Sequence, residues 1–310
     1  MTRSGFYAWR RRPDSAHAQA DRRLRVVVRA AFERSRHRYG SPRIHRDLRD
    51  EDMRVSRKRV VRLMREEGLL ARPRKRFKAT TDSNHEQPVA ANVLAREFTA
   101  QAPNQRWVGD TTELLVGTTR AKLYLAVLLD LFSRFIVGWA LSAVNDRHLV
   151  SKALRMAIQR RCPDAGLLHH SDRGCTYASE DYQAILEANR ITCSMSRRGD
   201  CYDNAAMESL FSTVKTELGE HFDSYSDAKK QVFDYIELFY NPQRRHSTLD
   251  YVSPAMYERC YHAASEIVPT SREAARRQLD PSDVCSDDRR LAAAALSDDQ
   301  KGLTTEAMTA

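Results

Sequence analysis

The sequence has no apolar stretch of membrane-spanning length. The best, Leu123–Leu129, stops at Asp130, far short of the roughly 20 residues a spanning helix needs. The N-terminus, Met1-Thr-Arg-Ser-Gly-Phe-Tyr7, has no apolar signal-peptide core. There is no P-loop and no G-x-G-x-x-G, so nucleotide binding has no support. Cysteine is sparse: Cys162, Cys175, Cys193, Cys201, Cys260 and Cys285 are scattered, and none form a C-x-x-C pair. That argues against a zinc ribbon. In a chain this long the cysteines read as reduced thiols in a cytoplasm. No internal repeat is found. The hydrophobic fraction of 42% excludes disorder throughout.

What the sequence does have is charge, unevenly placed. Residues 1–80 hold 25 Lys/Arg against 9 Asp/Glu, whereas residues 81–260 hold 20 against 23. The excess positive charge is all in the first quarter. Such a module meets a polyanion, and the nearly neutral body has another job. At 310 residues the chain has room for about two domains.

In the basic quarter, Leu24, Val28, Ala31 and Phe32 recur at helical spacing. Tyr39-Gly40-Ser41-Pro42 interrupts, with Ser41 as N-cap and Pro42 at the first helical position of a short helix to Asp50. Ser56 caps the next helix, which Gly68 closes. Val60, Val61 and Met64 face inward, and Arg57, Lys58, Arg59, Arg62 and Arg65 outward. Two short helices, a tight turn and a basic second helix predict a helix-turn-helix. The run Arg72-Pro-Arg-Lys-Arg-Phe-Lys78 favours nucleic acid over a merely solvated basic face. Arg57, Lys58 and Arg62 are the candidate DNA contacts. Thr80 to Pro88 has linker composition.

From Gln105 the periodicity changes. Strands are predicted over 107–116, 122–130, 135–140, 167–171 and 191–195, and helices over 147–161, 179–189, 204–220 and 226–240. The second strand is apolar on both faces and is placed centrally. Three consecutive strands followed by alternation predict an α/β fold, a mixed sheet with helices on both faces. This is the order of the ribonuclease-H-like fold. The expected domains are 1–80 (helix-turn-helix), 81–103 (linker), 104–262 (catalytic core) and 263–310 (an acidic, disordered tail).

Three acidic residues stand out: Asp110 inside the first strand, Asp172 at the carboxyl end of the fourth, and Glu208 in the first turns of a helix. Singly, each has an ordinary structural explanation. Together, three carboxylates converging at a strand end would repel one another unless a cation neutralised them. Hard oxygen ligands select Mg²⁺ or Mn²⁺, and two such ions clamp the attacking and leaving oxygens of a phosphodiester. Asn204 and Lys215 lie 4 residues before and 7 after Glu208, on the same helical face. They are candidate DNA contacts. Asn241, Arg244 and His246 either contact DNA or order the active-site edge, or else mark a helix stop at Pro242 with Arg244 snorkelling. His169 and His170 read as packing residues that fix the strand end.

At this point the residues resemble a known family. Ser4-Gly-Phe-Tyr-Ala-Trp-Arg-Arg-Arg-Pro13, Arg38-Tyr-Gly-Ser-Pro-Arg-Ile44, Trp107-Val-Gly-Asp-Thr-Thr112, His170-Ser-Asp-Arg-Gly174, Ser194 to Ser209, Tyr240 to Leu249 and Ser253-Pro254 all match. The chain resembles, over about residues 1–260, the second-frame protein of frameshifting bacterial insertion elements. These are transposases with a retroviral-integrase-type Asp-Asp-Glu core. Thr111, Cys175-Thr176 and Asp250 depart from the usual Ile, Ser-Gln and Gly; none touches the triad.

The resemblance implies that Asp110, Asp172 and Glu208 are the metal-binding catalytic carboxylates, using two Mg²⁺ or Mn²⁺ ions, and that Lys215 is the basic residue two turns on. It implies cleavage at element ends and attack of the freed 3′-hydroxyl on another strand. The implied partners are the terminal inverted repeats, target DNA, a second copy at least, and the first-frame protein, fused or separate. The main reader of the ends belongs to that first frame, so this chain alone is expected to bind ends weakly. The implied setting is the bacterial cytoplasm and nucleoid, away from membranes. The competing readings are a catalytically silent DNA-binding remnant or regulator, and a plain nuclease.

Overall fold

The computed structural model describes residues 2–11, 14–71, 90–197 and 201–266. The basic run Arg72–Lys78, the Thr80–Pro88 stretch and the chain beyond Glu266 lie outside them. The chain divides into two compact units, Met1–Pro73 and Arg74–Ala310.

The first unit is all α: α1 (Arg3–Arg11), α2 (Ala16–Arg34), α3 (Ser41–Asp50) and α4 (Arg57–Glu66). Ser15 caps α2 by accepting from Ala18 N, and Ser56 caps α4 by accepting from Arg59 N. α3 begins differently from expectation. Its cap is Gly40, with no side-chain bond, and Ser41 is already helical. Pro42 in that first turn removes one of the N–H groups a cap would serve. Val28, Ala31, Phe32, Ile44, Leu48, Val60, Leu63 and Met64 are buried together. Gly68, at φ +65°, takes the left-handed conformation that ends α4.

α4 does not present a uniformly free basic face. Asp21 on α2 is buried and accepts from Arg59 Nε at 2.7 Å and Arg62 Nη2 at 2.6 Å. The bond from Arg62, with that from Arg59, holds the Asp21 carboxyl down at about 2. Arg62 also bonds Glu66 at 2.9 Å, and Arg25 and Arg29 of α2 reach Glu66 and Glu67. Periodicity places a residue on a face but does not show what the neighbouring helix offers it. Arg57, Lys58 and Arg65 remain exposed.

The second unit is a six-stranded mixed sheet. Its strands are β1 (Arg106–Val116), β2 (Ala121–Asp130), β3 (Ile136–Ser142), β4 (Leu168–Ser171), β5 (Thr192–Met195) and β6 (His221–Phe222). They run in the order β3-β2-β1-β4-β5, with β6 paired to β1. The hairpins β1–β2 and β2–β3 are antiparallel, and β1–β4 and β4–β5 parallel. The two-residue β6 is too short to show a period, and α1 and α9 (Pro254–Glu266) are helices beyond those expected from the sequence.

α5 (Arg147–Arg161) begins at Asp146, whose side chain accepts from Leu149 N at 3.0 Å. It packs so closely on β3 that a Cβ at Gly138 would fall 2.3 Å from Ala153 O. α6 (Glu180–Ala188) completes this layer. The core includes Trp107, Leu128, Val137, Leu154, Tyr177 and Tyr182. α7 (Ala205–Glu217) follows a 3₁₀ turn, Cys201–Asn204. The helix expected over 226–240 is α8 (Tyr225–Phe233) continued by a π-helical stretch, Asp234–Tyr240.

Asn241 and Arg244 resolve as structural. Asn241 bonds both backbone groups of Ile136. Arg244 is 3% exposed and forks onto Glu217 of α7, with Nε–Oε2 at 2.8 Å and Nη2–Oε1 at 2.7 Å. Tyr235 donates to the same carboxylate at 2.9 Å. Cys162, Cys175 and Cys193 are free thiols.

Candidate active site

Asp110 sits in the middle of β1 and Asp172 directly after β4. The parallel register sets Gly109 against Ser171. The next residues on the two strands, Asp110 and Asp172, are therefore neighbours. Gly109 is needed here: a Cβ would lie 2.8 Å from His169 Cε1 on β4. Glu208 occupies the first turn of α7. The three carboxylates share one electrostatic field. Desolvation, then the charge of Asp172, and less strongly that of Glu208, push the Asp110 carboxyl well above its ordinary range.

Hydrogen bonds fix Asp110 and Asp172. Asp110 Oδ1 accepts from Thr111 N at 2.7 Å and Oδ2 from Asn204 Nδ2 at 2.8 Å. Asp172 Oδ1 accepts from Gly174 N at 2.9 Å. Beneath them the two histidines do what packing residues do. His169 Nε2 meets the Tyr182 hydroxyl at 2.7 Å. Ser194 Oγ accepts from Val93 N and Leu94 N, so its own proton goes to His170 Nδ1, 2.9 Å away. That leaves the His170 proton on Nε2, facing Ser196 Oγ at 3.2 Å. Burial keeps both rings neutral, lowering His169 to about 3 and His170 to about 4.

Tyr177, which the sequence reading passed over, is buried. Desolvation, then the charges of Asp110, Tyr182 and Asp172, keep its hydroxyl protonated. Asp203 was also missed. It is fully buried and is bonded by Asn92, Arg96 and Arg197. Asn92 and Arg96 are over 100 residues away in sequence, so no local pattern signals them.

Lys215, two turns along α7 from Glu208, is half-buried. Desolvation lowers its pKa, against the opposing pull of Glu220 and Glu113. Arg57, Lys58 and Arg62 lie in the other unit.

The donor set fits a hard divalent cation. It offers three carboxylates, one held unfavourably charged by its surroundings, and the amide oxygen of Asn204, which is buried without a hydrogen-bond partner. Among the described residues, no group of three or more His, Cys, Asp or Glu side chains is placed where it could hold a metal ion, so the fit rests on the chemistry of the donors.

Family models match in three places. An HTH-like domain covers residues 19–77, and two integrase core domain models cover 100–201 and 189–254. The chain is 42% identical over 264 residues to an insertion element IS600 31 kDa protein of Shigella sonnei, covering 84% of this chain and 96% of that one. It is 42% identical over 262 residues to transposase InsF for insertion sequence IS3A of Escherichia coli, covering 83% and 90%. Among solved structures, the HTLV-2 integrase catalytic core domain aligns over 46% of this chain and 93% of its own, with 18% identity and a TM-score of 0.36.

Proposed function

The chain belongs to the insertion-sequence transposases with an integrase core, and on that premise we propose that Asp110, Asp172 and Glu208 are its metal-binding catalytic carboxylates. The protein is a DNA transposase, a polynucleotidyl transferase dependent on divalent metal. The observation that carries the site reading is the electrostatic coupling of the three carboxylates: Asp110 on β1, Asp172 just past the adjacent parallel β4, and Glu208 on α7.

Asp110, Asp172 and Glu208 would hold two Mg²⁺ or Mn²⁺ ions. Bound there, the metals would activate water or a 3′-hydroxyl and stabilise the leaving oxygen in an in-line phosphoryl transfer. The chain's own residues supply rigidity and binding. The strand pair fixes two carboxylates, and the buried neutral histidines anchor the end of β4 without adding charge. Lys215 of α7 and the exposed Arg57 and Lys58 of α4 hold DNA phosphates. Arg62 joins them only as far as its pairing with Asp21 and Glu66 allows.

The substrates are the element's terminal repeats and target DNA. The working form is at least a dimer, since two ends must be brought together. It is fused to, or acts with, the first-frame protein. The setting is the bacterial cytoplasm, at the nucleoid; among the described residues no helix is long and apolar enough to cross a membrane.

The test incubates full-length protein, made with its upstream frame, with a labelled element end, target plasmid and Mg²⁺. Joined products are expected, and they vanish with a chelator. Cleavage without joining would indicate a nuclease. Binding without either would indicate a silent DNA-binding protein.

A further inference from the structure

Asn204 is turned toward Asp110, and its surroundings hold it there. Its Nδ2 donates to Asp110 Oδ2 at 2.8 Å, while Thr111 N holds Oδ1 at 2.7 Å. Both oxygens of Asp110 are therefore pinned, and the carboxylate plane is fixed. The residue is 8% exposed, yet its Oδ1 is buried with no hydrogen-bond partner. A buried amide oxygen left open on a side chain bonded to Asp110 is a polar group kept for a purpose.

The backbone next to Asn204 is anchored from a distance. Asp203 is fully buried and accepts from Arg197 N (2.9 Å), Arg197 Nε (3.1 Å) and Nη2 (2.9 Å), Arg96 Nε (3.1 Å) and Asn92 Nδ2 (2.7 Å). Asn92 and Arg96 belong to residues 91–96, which lead into the catalytic unit. The same strap donates Val93 N and Leu94 N to Ser194, the residue bonded to His170 two positions before Asp172. From residue 90 onward, then, this is not a free linker. It grips the supports of two carboxylates.

We propose that Asn204 is a positioning residue for Asp110, held in place by the strap through Asp203, and that its open amide oxygen faces the cation or a water bound to it. The proposal rests on the carboxylate reading above and gives Asn204 a role other than the DNA contact its helical face suggested. Hydrogen-bonding partners of metal ligands set metal affinity, and their loss typically costs about 10–100-fold.

The experiment measures Mn²⁺ binding by the full chain without DNA, from the paramagnetic signal of the free ion, alongside melting temperature. Asn204→Ala is expected to weaken Mn²⁺ binding about tenfold with the melting temperature close to wild type. In strand transfer it should raise the half-saturating Mn²⁺ concentration by a similar factor. Arg96→Ala, outside the site, should weaken Mn²⁺ binding by a smaller factor, since Asp203 keeps its other donors. Wild-type Mn²⁺ affinity in Asn204→Ala, with weakened DNA binding, would overturn the proposal in favour of a DNA contact. Asp110→Asn separates the two readings. If it too leaves Mn²⁺ binding unchanged, the carboxylate reading fails and the proposal falls with it.

Discussion

His169 is held neutral by burial at about 3, well below its unfolded value near 6.5. As pH falls through 6.5 the unfolded chain takes up a proton that the folded one refuses, so stability is lost on the acid side. At pH 5 the loss is about 2 kcal/mol relative to pH 7.5. Asp130 works in the opposite sense. Desolvation raises its carboxyl to about 6, so it gains a proton on the folded side first. Comparing wild type with His169→Gln in thermal melts at pH 7.5 and pH 5 isolates the histidine. The variant is expected to lose about 2 kcal/mol less over that interval, and identical pH dependence would contradict the buried neutral ring. The cations of α4 divide similarly by what they touch. Arg57→Ala and Lys58→Ala should leave stability within about 0.5 kcal/mol and lower the salt slope of DNA binding by about one each. Arg59→Ala should instead destabilise the first unit, because it strips a partner from buried Asp21. Salt-titrated binding and melts on the same preparations distinguish the two groups.

At the scale of elements, α7 carries Glu208 at one end and is locked at the other by the Glu217–Arg244 pair. Burial works against the charge on Arg244, and the Glu217 carboxylate more than restores it. Arg244→Ala leaves a buried carboxylate short of its cation, and about 3–5 kcal/mol of stability should be lost. Glu217→Gln in the same chain should recover part of that, as a double-mutant cycle in urea would show. This lock marks the limit of what could be read from sequence. β1, β2 and α5 were legible because their apolar periodicity is long and their caps are local, as with Asp146. Asp110, Asp172 and Glu208 were singled out by where the expected strands and helix placed them, and their catalytic role was implied only by the resemblance. Arg244 was not, because its meaning depends on a carboxylate 27 residues away. The same holds for Arg59 and Asp21, 38 residues apart, and for Arg96 and Asp203, 107 apart. β6, two residues long, offers no period at all.

At the scale of the molecule, charge and chemistry are divided between two units. The first carries the positive excess, and the second carries the carboxylates on a sheet whose parallel pair β1–β4 sets them side by side. The proposed activity depends on that cluster acting through negative charge that metal neutralises. Glu208→Gln preserves the size of the side chain and removes only its charge. The most direct measurement compares wild type and Glu208→Gln for joining of a labelled element end in Mg²⁺, with end binding measured in parallel. Joining is expected to fall by about 10³-fold while binding is retained. Equal joining by the two proteins would contradict this.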